Sequence, residues 1–304
     1  MTDIVIVNWN GGDYLKHCVN SLLNTDNKTL ISTIFIIDNN SSDQSVEKIS
    51  PDPRISIIRN NANVGFAKAC NQGFKLCTAS YILLLNPDAQ LLPSTLQDAS
   101  AFMDHREDVD VLGCQLLDDN GTISKSCARF PTARRIFFDT LGLSTFFPSL
   151  FKPAILMLDW DHKESRFVDQ VMGAFMFMRR SIFDKVGYFD ERFFVYYEEL
   201  DFSKRLAALK GKSYYNTDIK AIHSGQGTTA SVKAFRLFLN LRSRLKYAKK
   251  HFSIPGFLLV WLTTFFIDPL TRTAMLIVKG RFKETGSVFK GYALLIGDGL
   301  NIRN

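Results

Sequence analysis

The stretch Ser80–Gln90, SYILLLNPDAQ, decides the fold. Tyr81-Ile82-Leu83-Leu84-Leu85 is an apolar run with no polar alternation, the pattern of a strand buried on both faces, as in a parallel sheet. Asn86-Pro87-Asp88 ends it, because proline has no N–H to give a sheet ladder. Asp88 is thereby left at the carboxyl end of a buried strand, where open α/β sheets receive their ligands. A plain strand and turn, with Asp88 capping the next segment, accounts for this stretch equally well.

Upstream, Asp3-Ile4-Val5-Ile6-Val7 is a second run of the same kind, ending at Asn8-Trp9-Asn10-Gly11-Gly12, a turn that a ligand can approach closely. Tyr14, Leu15, Cys18, Val19, Leu22 and Leu23 recur at helical spacing. Ile34–Ile37 predicts a third strand, followed by the turn-rich Asp38–Asp43, which also reads as a helix N-cap. Arg54–Arg59 predicts a weaker strand, Asn60–Asn63 a polar turn and Val64–Cys77 a helix. Downstream, Pro93–His105 predicts a helix with proline at a tolerated early position, and Val109–Cys114 a strand. This β-α-β-α-β-α-β order with short links predicts an α/β, doubly wound, mainly parallel sheet. Later, Asp169–Arg180 reads as one strand, Ser181–Val186 as a short helix and Asp218–Ile222 as a strand.

The chain of 304 residues suits one large domain, or a domain with an appendage. With 46% hydrophobic and 22% charged residues it is neither a disordered chain nor an integral multi-span protein. Met1-Thr2-Asp3 lacks the basic start of a signal peptide. Five cysteines without a CxxC predict reduced, apolar packing in a cytoplasm. A net charge of +7 points to nucleic acid, anionic lipid or an anionic substrate. No recognition-helix or stacking-sheet pattern supports the first, so no nucleic-acid partner is expected.

Taken jointly and in order, a set of motifs resembles family 2 glycosyltransferases, and more narrowly their bacterial rhamnosyltransferase-like branch. The motifs are Val7-Asn8-Trp9-Asn10, Asp38-Asn39-Asn40-Ser41-Ser42-Asp43, Asn60-Asn61-Ala62-Asn63-Val64-Gly65-Phe66-Ala67, Asn71-Gln72-Gly73 and Asn86-Pro87-Asp88. Gly173-Ala174, Tyr196-Tyr197-Glu198-Glu199-Leu200-Asp201 and His223 continue the resemblance, which covers roughly residues 2–230. It implies a GT-A-like domain over residues 1–230 that binds a nucleotide-sugar donor through Asn10, Asp38, Asn63, Gly65, Asn71, Asn86, Asp88, Gly173 and Ala174. Asp38 would face the base or ribose. Asp88 matches the last Asp of the family's acidic metal motif, whose first acidic place is taken here by Asn86. His223 matches a late His that completes the metal site or touches the diphosphate. The implied cofactor is a divalent metal, Mg²⁺ or Mn²⁺, bridging the diphosphate. The family's Glu-Asp pair falls on Glu198-Glu199. Its second acid is the general base, here Glu199 in place of Asp, and the choice between Glu199 and Glu198 stays open.

The implied reaction is an inverting transfer of a sugar, L-rhamnose from dTDP-rhamnose, to a hydroxyl of a glycan or polyprenyl-diphosphate-linked acceptor. A UDP-sugar-dependent transferase, for example galactofuranosyl, and a non-catalytic nucleotide-sugar-binding scaffold are the alternatives. The residues also admit plainer readings. Asp38 is a sound N-cap, and Asn63 with Gly65 an ordinary turn. Asn71 is a poor mid-helix residue, which suggests a specific hydrogen bond. Glu198, Glu199 and Asp201 suit a solvated helix N-terminus, and Asp201 with Arg205 an i,i+4 pair.

Within Gly121–Phe167, Lys125, Arg129, Arg134 and Arg135 precede Phe137, Phe138, Phe146, Phe147 and Phe151. This reads either as short helices packed beside the sheet or as an acceptor-side flap whose Phe residues face lipid. Ser224-Gly225-Gln226-Gly227-Thr228-Thr229 reads as a loop near the phosphates. Residues 231–304 form a basic, amphipathic helical region in which Lys and Arg punctuate Phe235, Leu237, Phe238, Leu241 and Leu245. Gly256–Ile267 is uncharged but, ended by Asp268-Pro269, too short to span a bilayer. Helices lying on the inner face of the cytoplasmic membrane are expected, a helical appendage packed on the catalytic domain or a homo-oligomer contact being the other reading.

Overall fold

The computed structural model describes residues 1–23, 26–225 and 233–298. The expected loop segment Gln226–Thr229 lies outside the described residues. In chain order the first elements are β1 (Thr2–Asn8), α1 (Gly12–Leu23), β2 (Ile31–Asp38), β3 (Ile55–Arg59), α2 (Phe66–Phe74), β4 (Tyr81–Leu85), β5 (Ala89–Leu91), α3 (Thr95–His105) and β6 (Val111–Leu117). They are followed by β7 (Cys127–Ala128), α4 (Ala133–Thr140), α5 (Leu143–Phe146), β8 (Arg166–Val168), β9 (Gln170–Val171), β10 (Phe175–Arg179), α6 (Ile182–Val186), α7 (Glu198–Ala208) and β11 (Ser213–His223). The remaining helices are α8 (Lys233–His251), α9 (Ile254–Leu262), α10 (Asp268–Val278) and α11 (Thr285–Gly297).

The main sheet runs β3-β2-β1-β4-β10-β6-β11-β5, with β8 paired to β11. β1, β2, β3 and β4 are parallel neighbours, and β6 is parallel to β11. β10 runs antiparallel between β4 and β6. β1 and β4 are buried along their whole length, as the unalternating apolar runs require. Their side chains divide between two cores. Ile4, Ile6, Leu83 and Leu85 pack with Leu15 and Leu22 of α1 and with Leu96 and Met103 of α3. Val5, Val7, Ile82 and Leu84 pack with Phe74 of α2, Phe183 of α6 and Phe202 of α7. The five cysteines are all free and buried.

The chain divides into two units. The sheet unit holds Met1–Ala128, Asp161–Glu191 and Glu199 onward through β11. The helical unit holds Arg129–Trp160, Arg192–Glu198 and the helices from α8 onward. Its core joins Leu241, Leu245 and Ala248 of α8 to Val260 of α9, Tyr292 and Leu295 of α11 and Ile136 of α4. Arg129, counted in sequence among a basic cluster, is buried and ion-paired at 2.6 Å with Asp159.

Several elements differ from the sequence reading. Asp38–Asp43 does not open an α-helix; only a 3-10 turn, Val46–Lys48, follows. The capping groups serve the turn instead, Asp43 accepting from the backbone N–H groups of Gly12 and Ser45. Pro93 precedes α3, which starts at Thr95 after Ser94. Asp169–Arg180 is not one strand: β9 ends at Val171 and β10 begins at Phe175, with a turn at Gly173-Ala174 between them. Nor does the apolar segment end at Asp268-Pro269. A π turn over Thr263–Ile267 joins α9 to α10, so Ile254–Val278 is one helix of 25 residues, long and apolar enough to cross a membrane. Such a turn rearranges the backbone bonding that proline interrupts. Asp268 is turned inward, where Arg244 reaches it at 2.8 Å, Arg272 at 2.9 Å and the Tyr292 hydroxyl at 3.0 Å.

Candidate active site

The carboxyl ends of β1 and β2 meet at one register pair, Asn8 and Asp38. The Asn8 amide donates to Asp38 Oδ1 at 2.9 Å and to the Ser41 and Ser45 hydroxyls at 3.0 and 2.8 Å. Asp38 also accepts from Ser41 N–H at 3.3 Å, so its carboxylate is held by the loop that follows its own strand. Asn10 takes a left-handed backbone conformation and its Oδ1 accepts from Ser42 N–H at 2.8 Å. Buried Asn39 closes the next wall: its amide donates to Asn63 Oδ1 at 2.8 Å and its oxygen accepts from Val64 N–H at 3.0 Å. Asn63 Oδ1 in turn accepts from Gly65 N–H. Gly65 sits at φ +90°, a conformation open to glycine, and starts α2.

Asn71 does make the specific hydrogen bonds its mid-helix position suggested, and they go to the chain itself. Its Oδ1 accepts from Phe189 N–H and its amide donates to Phe189 O and to Glu191, all within 3.0 Å. It pins the turn that follows α6.

Asp88 lies in the turn after β4, and β5 follows at once. β5 pairs antiparallel with β11, with Ala89 opposite His223. This sets Asp88 Oδ1 3.3 Å from His223 Nε2, both side chains about one-tenth exposed. Ser224 N–H donates to the Asp88 carbonyl at 3.1 Å, closing the same corner. Burial, with the Asp88 charge close by, holds the Cys18 thiol well above its usual range. One carboxylate and one imidazole are the donor set here. Among the described residues no group of three His, Cys, Asp or Glu converges to hold an ion. Two protein donors suit Mg²⁺ or Mn²⁺, which bind through one or two side chains and fill their other positions from phosphate and water. The residues fit such an ion.

The Gly173-Ala174 turn is tied to the same corner, because Ala174 O accepts from Asn86 N–H at 3.2 Å. Its other partner is Glu199, at the start of α7. A Cβ on Gly173 would lie 2.0 Å from Glu199 Oε1, so only glycine permits this approach. Gly173 N–H donates to the Glu199 carboxylate, and Gln170 Nε2 donates to its Oε2 at 3.1 Å. Burial pushes the Glu199 pKa up to about 7 against the pull of the Gly173 N–H. A carboxylate poised near neutrality is a competent general base. Asp201 is fully buried and bonded to Arg205 Nε at 2.9 Å, the i,i+4 pair expected of it. Glu198 is also buried and belongs to the helical unit. Just before it, Tyr196 and Tyr197 both have positive φ, costing about 1–3 kcal/mol each. Tyr197 packs on Tyr247 and the Tyr196 hydroxyl accepts from Arg236, contacts that hold them there.

Asn86, Asp88, Gly173, Ala174, Glu199 and His223 thus form one bonded chain of contacts, and Asn10 and Asp38 form another at the ends of β1 and β2. Asn8, Asn39 and Gln170 do much of the holding, yet sequence reasoning gave none of them a role. Asn8 and Asn39 lay inside quoted motifs, and a polar residue closing a buried strand was the available signal. Gln170 gave none, because its partner is distant in the chain.

A family model described as Glycosyl transferase family 2 matches residues 3–187. The N-acetylglucosaminyl-diphospho-decaprenol L-rhamnosyltransferase of Mycobacterium tuberculosis is 23% identical over 258 residues, covering 80% of this chain and 83% of that protein. Rhamnosyltransferase WbbL of Escherichia coli is 27% identical over 195 residues, covering 62% and 67%. Among solved structures, the mannosyltransferase PcManGT from Pyrobaculum calidifontis, in complex with GDP-Man and Mn²⁺, superposes with a TM-score of 0.58 at 12% identity, over 98% of this chain and 87% of that one. At that identity the likeness speaks for the fold.

Proposed function

The chain belongs to glycosyl transferase family 2, in its rhamnosyltransferase-like branch, and from that premise we propose an inverting transfer of L-rhamnose from dTDP-L-rhamnose to a hydroxyl of a lipid-linked glycan. The observation that carries the reading is the Glu199 carboxylate, held by Gln170 and Gly173 on a turn whose next residue binds the backbone of Asn86. In a single displacement, Glu199 takes the acceptor's hydroxyl proton as the oxygen bonds to the anomeric carbon. The bond from that carbon to the diphosphate breaks on the opposite face, and its electron pair leaves with the nucleotide. Asp38, set by Asn8, would accept from the base or ribose, and the Gly65 turn would offer backbone N–H groups to the donor. Asp88 and His223 would hold a divalent ion that, when bound, neutralises charge on the leaving diphosphate.

The name of the mycobacterial relative, which specifies a diphospho-decaprenol-linked sugar, supports a polyprenyl-diphosphate-linked acceptor. The helical unit supports work at the inner face of the cytoplasmic membrane. Along Ile254–Val278 the side chains of Ile254, Leu258, Leu262, Phe266 and Leu270 recur every four residues and are all exposed by about half or more. Thr263, Thr264 and Asp268 face inward, so one side of the helix is apolar and open. Lys279, Arg281 and Lys283 follow it. A one-sided apolar stripe with flanking cations suits a helix lying in the interface rather than crossing it.

A melting-temperature panel of dTDP-L-rhamnose and UDP-sugars, each with and without Mn²⁺, tests the donor, since a ligand that binds only the folded state stabilises it. The largest shift with dTDP-L-rhamnose is expected. A larger one with a UDP-sugar would replace the donor, and the anomer of the product, read by NMR, tests inversion.

A further inference from the structure

We propose that Gln170 is a positioning residue for the transfer: its side-chain amide fixes the direction and basicity of the Glu199 carboxylate. The inference rests on the reading of Glu199 as the base. Gln170 is buried, on the two-residue strand β9, which β7 clamps through the pair Ala128 and Gln170. Met172 N–H donates to Ser126 O on the far side of that clamp. The amide Nε2 donates both to the carbonyl of Val171, which fixes the side chain's rotamer, and to Glu199 Oε2 at 3.1 Å. The Gly173 N–H holds the same carboxylate from the adjoining turn. Two donors from β9 and the turn that follows it leave a carboxylate little rotational freedom, while four lone-pair sites leave room to accept a proton. A hydrogen bond to the ionised form also favours that form, opposing the burial that raises the Glu199 pKa.

A glutamine here has a simpler role available, holding the β7–β9 strand pair together, and the test separates the two. Gln170→Met keeps length and volume but loses the donor. Gln170→Glu keeps the shape and sets a second carboxylate against the first. Both are compared with the wild type and with Glu199→Gln by kcat, KM, donor affinity and the pH profile of kcat/KM. Loss of a hydrogen bond to a charged group corresponds to roughly a ten- to hundred-fold fall in rate. The expectation is a fall of that size in kcat for Gln170→Met, with donor KM little changed. Its acid limb should move to higher pH, and that of Gln170→Glu higher still, because like charges resist sharing one site. A purely structural residue would lower melting temperature and leave the limb in place. Folded Gln170→Met with wild-type kcat and an unmoved limb would overturn the proposal. Should that variant not fold, the same reading of Gln170→Glu decides. Normal turnover by Glu199→Gln, in contrast, would remove the base itself, an outcome distinct from either.

Discussion

Asp88 and His223, far apart in sequence, face each other at 3.3 Å because one backbone pairing places Ala89 opposite His223. β5 is only three residues long, yet it brings the loose end of a buried strand to His223, half of the two-donor site proposed for a divalent ion. The other half arrives on the last strand of the sheet. Any change that unpairs β5 from β11 therefore separates the donors without touching either.

The first prediction follows from that pair. Asp88→Ala leaves His223 as a single donor, since the companion position is Asn86. The part of donor-nucleotide affinity that depends on Mn²⁺ should disappear, as read by calorimetry with and without the ion. His223→Ala should weaken it less, a neutral imidazole contributing less charge than a carboxylate. Equal affinity in Asp88→Ala and wild type would take Asp88 out of the metal site.

Gly173→Ala is the second. The new Cβ would stand 2.0 Å from Glu199 Oε1, so the carboxylate or the turn must shift. A displacement near 1 Å at a reacting group costs on the order of 10² in rate. kcat should fall by about that factor. Wild-type kcat would show that the base tolerates displacement.

Much of the sheet was legible in the sequence, because β1, β2 and β4 are buried on both faces and read as unbroken apolar runs. The strand ends were legible too, through Asn8, Asp38 and Asp88. What stayed hidden depended on partners far along the chain. β5 is too short to show a pattern of its own. Gln170 is unremarkable until Glu199 is beside it. Asp268-Pro269 looked like a helix terminator, since the sequence does not reveal that Arg244 and Tyr292 wait inside to receive the carboxylate. For the same reason residues 129–160 could not be assigned to the helical unit: Arg129 and Asp159 become informative only as a pair.

The third prediction tests the inward turn of Asp268. Removing one partner of a buried ion pair leaves an uncompensated charge and typically costs about 3–5 kcal/mol. Asp268→Ala should lower the denaturant midpoint of the helical unit accordingly, with Arg244 left charged among Thr264 and Tyr292. A loss below about 1 kcal/mol would mean that the carboxylate faces water.

The fourth concerns the exposed stripe. Replacing Leu258, Leu262 and Phe266 together by serine removes apolar side chains that are about half exposed and outside the buried core, so the fold should persist. Each buried apolar side chain contributes roughly 1.5–3 kcal/mol to partitioning. Sedimentation with anionic vesicles should fall sharply, whereas transfer to a short, water-soluble acceptor should not. Wild-type protein that stays in the supernatant at low salt would assign the stripe to a protein partner instead.

The last prediction joins the base to pH. Burial raises the Glu199 pKa to about 7, above the ordinary 4.5 of a glutamate. A general base must be ionised, so kcat/KM should rise as pH rises through about 7 and level off above it. The stability effect has the opposite sense. Between 4.5 and 7 the folded chain holds a proton that the unfolded chain has lost, so stability from this group falls as pH rises through that window. Glu199→Gln removes both dependences. It should lower kcat by on the order of 10²–10⁴ while donor binding survives, and it should gain stability over wild type above pH about 7. Glu198→Gln should cost less in turnover, and Asp201→Asn should act through stability by loosening Arg205. A Glu199→Gln enzyme with normal turnover, or an acid limb near 4.5 in the wild type, would move the base to Glu198. Measuring kcat and the melting temperature of the same variants across pH reads the two signs together, and only a buried, proton-accepting Glu199 gives both.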